Sequence, residues 1–188
     1  NSGHVRIYQY DGVGWSQLGL DIDGEATADS SGVSVSLSAD GTRVAIGAFL
    51  NDGNGPESGH VRIYQYDGVG WLQLGLDIDG EAAFDQSGRS VSLSADGTRV
   101  AIGAPWNAGN GNNSGHVRIY QYDGVGWSQL GLDIDGEAAG DFSGLSVSLS
   151  ADGTHVAIGA NGNDGNGSNS GHVRIYQYDG VGWSQLGL

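Results

Sequence analysis

Apolar and polar residues alternate with period two along most of this chain, and no stretch holds the 3.6-residue period of a helix. The alternation comes in segments separated by glycine-rich turns. In one representative stretch, Ser90 to Ser94 (SVSLS) and Arg99 to Ala104 (RVAIGA) flank Ala95-Asp96-Gly97-Thr98. This predicts a hairpin, since both central residues of an Asp-Gly turn can accept positive φ. Gly115 to Tyr122 (GHVRIYQY) follows as a third strand, a second Asp-Gly turn stands at Asp123-Gly124, and Trp127 to Ile134 (WSQLGLDI) completes an antiparallel meander. Val117 and Ile119 fall on one face of the third strand and Arg118, Tyr120 and Tyr122 on the other. Both faces carry apolar bulk, so the sheet needs a partner on each side.

The partner is another copy. The segment SGHVRIYQYDGVGW places its histidine at His4, His60, His116 and His172, a period of 56 residues, and Asn169 to Leu188 repeats Asn1 to Leu20 unchanged. A unit of this length buries its faces only against its neighbours. The expected fold is all-β, with β-propeller-type blades of four antiparallel strands, the small residues Ser90, Ser92 and Ser94 lying where blades converge. A β-solenoid is the competing arrangement, but its rungs are usually much shorter. One continuous repeat region over residues 1–188 is predicted: a half blade at 1–26 and blades at about 31–78, 87–134 and 143–188.

Asp141 to Ala160 (DFSGLSVSLSADGTHVAIGA), with the Gly/Asn loop and GHVRIYQY after it, resembles the FG-GAP repeat of the integrin α-chain propeller and its relatives. That family opens its first strand with Phe-Gly and ends its second with Gly-Ala-Pro. Here Ser-Gly stands at Ser31-Gly32, Ser87-Gly88 and Ser143-Gly144, and Gly-Ala-Pro is complete once, at Gly103-Ala104-Pro105. The resemblance implies a propeller whose ligand-facing side is formed by loops. Many members also carry a calcium loop, D-x-D-x-D-G, between the first two strands. This chain has only Ala-Asp-Gly-Thr there, so calcium at that turn does not carry over.

Differences between copies concentrate in two windows. One covers Thr27 to Val33, Ala83 to Arg89 and Ala139 to Leu145; the other covers Phe49 to Glu57, Pro105 to Asn113 and Asn161 to Asn169. In a four-stranded meander both fall at the same end of the blade. Loops on a rigid scaffold commonly bind, which makes Phe49, Leu50, Phe84, Trp106 and Phe142 the candidate binding face. Loops that merely tolerate change, with Trp106 and Phe142 tucked beneath them, are the alternative. Trp15, Trp71, Trp127 and Trp183 open the outer strand and are expected to cap the core rather than bind sugar.

Each full copy also contains D-I-D-G-E-A-x-x-D: Asp21, Asp23, Glu25 and Asp29; Asp77, Asp79, Glu81 and Asp85; Asp133, Asp135, Glu137 and Asp141. Hard oxygen ligands beside a glycine turn suit Ca²⁺, the one candidate cofactor. Asx-type hydrogen bonding to nearby backbone is the alternative role. Seven arginines, no lysine and 22 acids give a net charge of −15, which opposes nucleic acid and anionic membrane as partners. With no cysteine, disulfides and thiolate metal sites are excluded. No apolar run approaches the ~20 residues of a membrane span, so no membrane insertion is expected. Two sequons, at Asn112 and Asn166, fit an extracellular or cell-surface glycoprotein.

No nucleophile elbow, phosphate loop or zinc spacing appears, and every His, Asp and Trp of the shared segment recurs in each copy, so no enzyme is expected. The chain opens without Met and is read as a mature or excerpted segment. Its first blade has only strands three and four, leaving open faces at both ends. The expected function is an extracellular structural repeat protein that stacks with copies of itself into a fibre or appendage. The alternative is an adhesion or ligand-binding propeller, taking an extracellular protein or glycan on its loop face with calcium assisting. A hydrolase carrying such repeats would hold its active site elsewhere.

Overall fold

The computed structural model describes residues 2–187, and all regular elements among them are β-strands. Asn1 and Leu188, the bounds of the predicted repeat region, lie outside the described residues. At the N-terminus β1 (His4–Val5) pairs with β4 (Ile22–Asp23), and β2 (Tyr8–Tyr10) with β3 (Trp15–Gln17). Three antiparallel sheets follow. The first runs β5 (Ser34–Leu37), β6 (Arg43–Ala48), β7 (His60–Tyr66), β8 (Trp71–Gln73), with β9 (Ile78–Asp79) also on β7. The second repeats it with β10 (Ser90–Leu93), β11 (Arg99–Ala104), β12 (His116–Tyr122), β13 (Trp127–Gln129) and β14 (Ile134–Asp135). The third is β15 (Ser143–Leu149), β16 (His155–Ala160), β17 (His172–Tyr178) and β18 (Trp183–Leu186). Three blades thus succeed a half blade, as the alternation and the period require.

One local expectation is corrected, and one turn is specified more closely. The fourth strand is not continuous from Trp127 to Ile134. Tyr122 pairs with Trp127 and Tyr120 with Gln129, but Val117 pairs with Ile134 and His116 with Asp135, so the register slips by two residues. The excess forms a bulge at Gly131 (φ +82°) that turns Leu132 out to solvent. The first hairpin also lacks two central residues of positive φ. Only Gly97 takes one, at +64°, with its N–H bonded to the Ser94 carbonyl; Asp96 stays out of that region. The Asp96 carboxylate instead accepts the Ser94 hydroxyl at 2.6 Å and the Thr98 N–H at 3.0 Å, fixing a longer turn built around a type I bend.

The core lies in the seams between sheets. Val61, Ile63 and Ile78 of the first blade meet Val91, Leu93, Val100 and Ile102 of the second, and Val117, Ile119 and Ile134 meet Leu149, Val156 and Ile158 of the third. Ile7 and Ile22 of the half blade cover Val44, Ile46 and Tyr64 in the same way. First strands converge on one another. The Ser36 hydroxyl accepts the Leu93 N–H and the Ser92 hydroxyl the Leu149 N–H, each at 2.9 Å, so serines where the blades meet join neighbouring blades by hydrogen bonds. On the outer side the indole N–H of Trp71, Trp127 and Trp183 donates to the carbonyl of Leu18, Leu74 and Leu130 in the preceding unit, at 2.7–2.9 Å.

The Gly-Ala and Ser-Gly motifs face each other across each seam. A Cβ on Gly47 or Gly103, in the second strand of one blade, would run into the backbone oxygen of Gly88 or Gly144 at the start of the next. Gly88 and Gly144 themselves hold φ of +83° and +87°. One glycine permits the close approach and the other permits the backbone shape.

Candidate functional site

Both variable windows do meet at one end of the blades, held by a constant frame. Within the second window Asn51, Asn107 and Asn163 keep their identity, and their side-chain amides donate to the buried carboxylates of Asp29, Asp85 and Asp141 at 2.9–3.1 Å. Asn54 and Asn110 reach the next unit, donating to the carbonyls of Gly80 and Glu81 and of Gly136 and Glu137. These asparagines were not singled out from the sequence, although their constancy inside otherwise changing loops was the available signal. They tie the loops of successive blades together.

The five candidate binding residues divide on this frame. Phe84 is 60% exposed, with φ +70°. Phe49 and Leu50 are half-buried, and the Arg89 guanidinium of the next repeat stacks over the Phe49 ring at 4.7 Å. Trp106 packs edge-on against Phe142 of the next repeat, with ring centroids 5.8 Å apart. The variable aromatics therefore pair across the seams, with Phe84 standing clear. Asn112 and Asn166 of the sequons are exposed, whereas Ser114 of the first sequon is fully buried.

The acidic stretches do not gather within a copy. Asp29, Asp85 and Asp141 accept the N–H of Ala26, Ala82 and Ala138 at 2.9–3.1 Å and close local turns. Asp21 is held by Arg6 at 2.9 Å and by Gln17 at 2.8 Å. Asp23, Asp79 and Asp135 are exposed at the ends of β4, β9 and β14. Glu25, Glu81 and Glu137 instead reach forward to the following blade, where Nδ1 of His60, His116 and His172 lies 3.7–3.8 Å from a carboxylate oxygen. At the first two seams a second acid joins: Asp77 stands 3.6 Å from His60 and Asp133 3.6 Å from His116.

At each of these two seams, the imidazole nitrogen and both carboxylate oxygens lie within 4.8 Å of one another. Burial holds the His60 and His116 imidazoles below their ordinary pKa, opposed chiefly by Asp77 and Asp133, so the rings are neutral near pH 7. Such a set of one nitrogen and two oxygens has the composition of a divalent-metal site.

Four-stranded antiparallel blades joined face to face, with loops interlocked at one end, define a β-propeller-type repeat protein. Residues 77–120 and 133–176 match the family model described as FG-GAP repeat, and the chain carries FG-GAP repeats over these two stretches. No curated protein matches the chain. Among solved structures it is similar to a Bacteroides uniformis protein provisionally described as a 6-phosphogluconolactonase, with a TM-score of 0.66 at 12% identity, over 98% of this chain and 47% of that one. A Bacteroides fragilis protein of the same description gives a TM-score of 0.59 at 14% identity, over 87% of this chain and 39% of that one. The chain thus spans less than half the length of either structure. At these identities the likeness is one of fold.

Proposed function

We propose that the chain is a non-enzymatic structural repeat protein, extracellular or at the cell surface, whose blades stack head to tail with copies of itself to build a fibre or appendage. One observation carries this reading: side chains sealed at the inner seams are bare at the terminal faces. Val117 and Ile119 are fully buried, whereas their equivalents Val173 and Ile175 are 66% and 46% exposed. At the opposite face Val35 and Leu37 are 53% and 50% exposed, against 8% and 6% for Val91 and Leu93. A following first strand covers Val117 and Ile119 at the inner seam, so the Val173 and Ile175 face offers a neighbouring copy a seat, while Val35 and Leu37 stay bare beside a half blade whose Ile7 already covers Val44 and Ile46. Covering each such side chain contributes up to about 1.5–3 kcal/mol. A heterologous contact of this kind propagates unless its rotation closes a ring.

Sedimentation of the chain over a wide concentration range tests the proposal. Concentration-dependent assembly is expected, and Ile175→Arg, which alters only the exposed face, should abolish it. A monodisperse monomer at the highest concentration would refute intermolecular stacking and leave further blades of the same polypeptide to cover the faces.

A second reading, adhesion or ligand binding at the loop end, is favoured by Phe84, an exposed aromatic whose N–H is bonded to the Pro56 carbonyl at 2.8 Å. It requires that Phe84→Ser weaken capture of an extracellular protein or glycan, while Phe49 and Trp106, engaged within the fold, matter less. Equal capture by the variant removes this reading.

A further inference from the structure

We infer that successive blades are stapled by a divalent transition-metal ion of the zinc type, held by Glu25, His60 and Asp77 at one seam and by Glu81, His116 and Asp133 at the next. The glutamate comes from the preceding repeat and the other two ligands from the following one, so each site exists only where two blades are in contact.

Three features carry the inference. First, the His60 and His116 side chains are 2% and 4% exposed, and Nδ1 of each is directed at two carboxylates. The carboxylate oxygens, at 3.6–3.8 Å, lie beyond hydrogen-bond reach of Nδ1. Buried polar groups are normally satisfied, so an imidazole aimed at two carboxylates without touching either calls for a bridging group. Second, the spacing suits an ion. Ligands ~2.1 Å from a common metal stand ~3.4–3.6 Å apart, close to the 3.6–3.8 Å between each Nδ1 and its two carboxylate oxygens.

Third, each carboxylate uses one oxygen for support and turns the other to the imidazole. Oδ1 of Asp77 accepts Gln73 Nε2 at 2.5 Å, and Oδ1 of Asp133 accepts Gln129 Nε2 at 2.6 Å, leaving each Oδ2 for the site. Oε1 of Glu25 faces Arg62 at 3.5 Å, and Oε1 of Glu81 contacts Arg118, leaving each Oε2. Outer partners that orient a ligand oxygen are the usual second layer of a metal site. One nitrogen and two oxygens fit zinc-type ions, whereas Ca²⁺ asks for six to eight oxygens. Glu137 and His172 repeat the first two ligands 3.7 Å apart, with no described carboxylate in the third position.

Equilibrium dialysis of the full chain against ZnCl₂ tests this. Two ions per chain are expected, one for Glu25→Gln and none at the same affinity for Glu25→Gln/Glu81→Gln; both glutamates are about half exposed, so these variants fold. Zinc should raise the melting temperature of the unaltered chain by ~5 °C and leave the double variant unmoved. Co²⁺ should give visible d–d bands that His60→Gln/His116→Gln lacks. Absence of zinc uptake, or uptake equal in the double variant, overturns the assignment, because dispersed surface acids then account for any binding. Calcium retained with the same stoichiometry and lost in the same variants overturns the zinc-type identity.

Discussion

The glycine pairs at the seams allow a test with its control inside the same molecule. Gly103 has an ordinary strand conformation, so alanine there is free of φ strain; its Cβ, however, would strike the backbone oxygen of Gly144 and the Ser90 hydroxyl. That hydroxyl already donates to the Gly144 carbonyl at 2.8 Å, across the seam. A backbone atom cannot rotate away, so the seam must open or the Ser90 bond must break. Overpacking costs about 1–3 kcal/mol and the lost hydrogen bond about 1, giving ~2–4 kcal/mol for Gly103→Ala. For a chain of this size that lowers the melting temperature by about 5–15 °C. Gly159 is the same position in the third blade, where a Cβ meets only the movable Ser146 hydroxyl as its close neighbour. Removing glycine from a strand gains ~0.5–1 kcal/mol, so Gly159→Ala should stay within about 1 kcal/mol of the parent. Thermal and urea unfolding followed by circular dichroism compare the two. Equal shifts for both variants would refute the close-approach account of the Gly-Ala motif.

Three further outcomes follow from the same seams and turns. Trp127→Phe loses the 2.7 Å bond to Leu74 and part of its packing, costing about 1–2 kcal/mol in urea unfolding, whereas Trp15→Phe, at a 71% exposed ring, changes nothing measurable. A double-mutant cycle of Trp106→Ala and Phe142→Ala should show a coupling of about 0.5–1.5 kcal/mol, and a value near zero removes the loop pairing. The Ser38 hydroxyl, with the N–H and hydroxyl of Thr42, draws the Asp40 carboxyl down to about 2 from its usual value near 4. Its stabilising effect is therefore complete above the unfolded-state pKa and disappears as pH falls through about 2. Melting temperatures of Asp40→Asn and the parent should differ at pH 6 and converge near pH 2; a constant difference contradicts this.

The amino-acid sequence by itself determined the strands and the unit they form. Period-two alternation leaves Val117 and Ile119 no way to bury except in a sheet face, and the 56-residue recurrence means that the face opposite must be another copy. It also marked the turns, because Asp and Gly act through local backbone geometry. The bulge before Ile134 was hidden, since continuous alternation in WSQLGLDI looks like one strand until its partner's register is known. The roles of the acids were hidden for a related reason. Asp29 and Asn51, or Glu25, His60 and Asp77, lie in separate segments, and only the rotation between stacked blades decides which of them meet. Local chemistry is written in adjacent residues; contact across a seam depends on how one rigid sheet sits against the next, and that is fixed by packing.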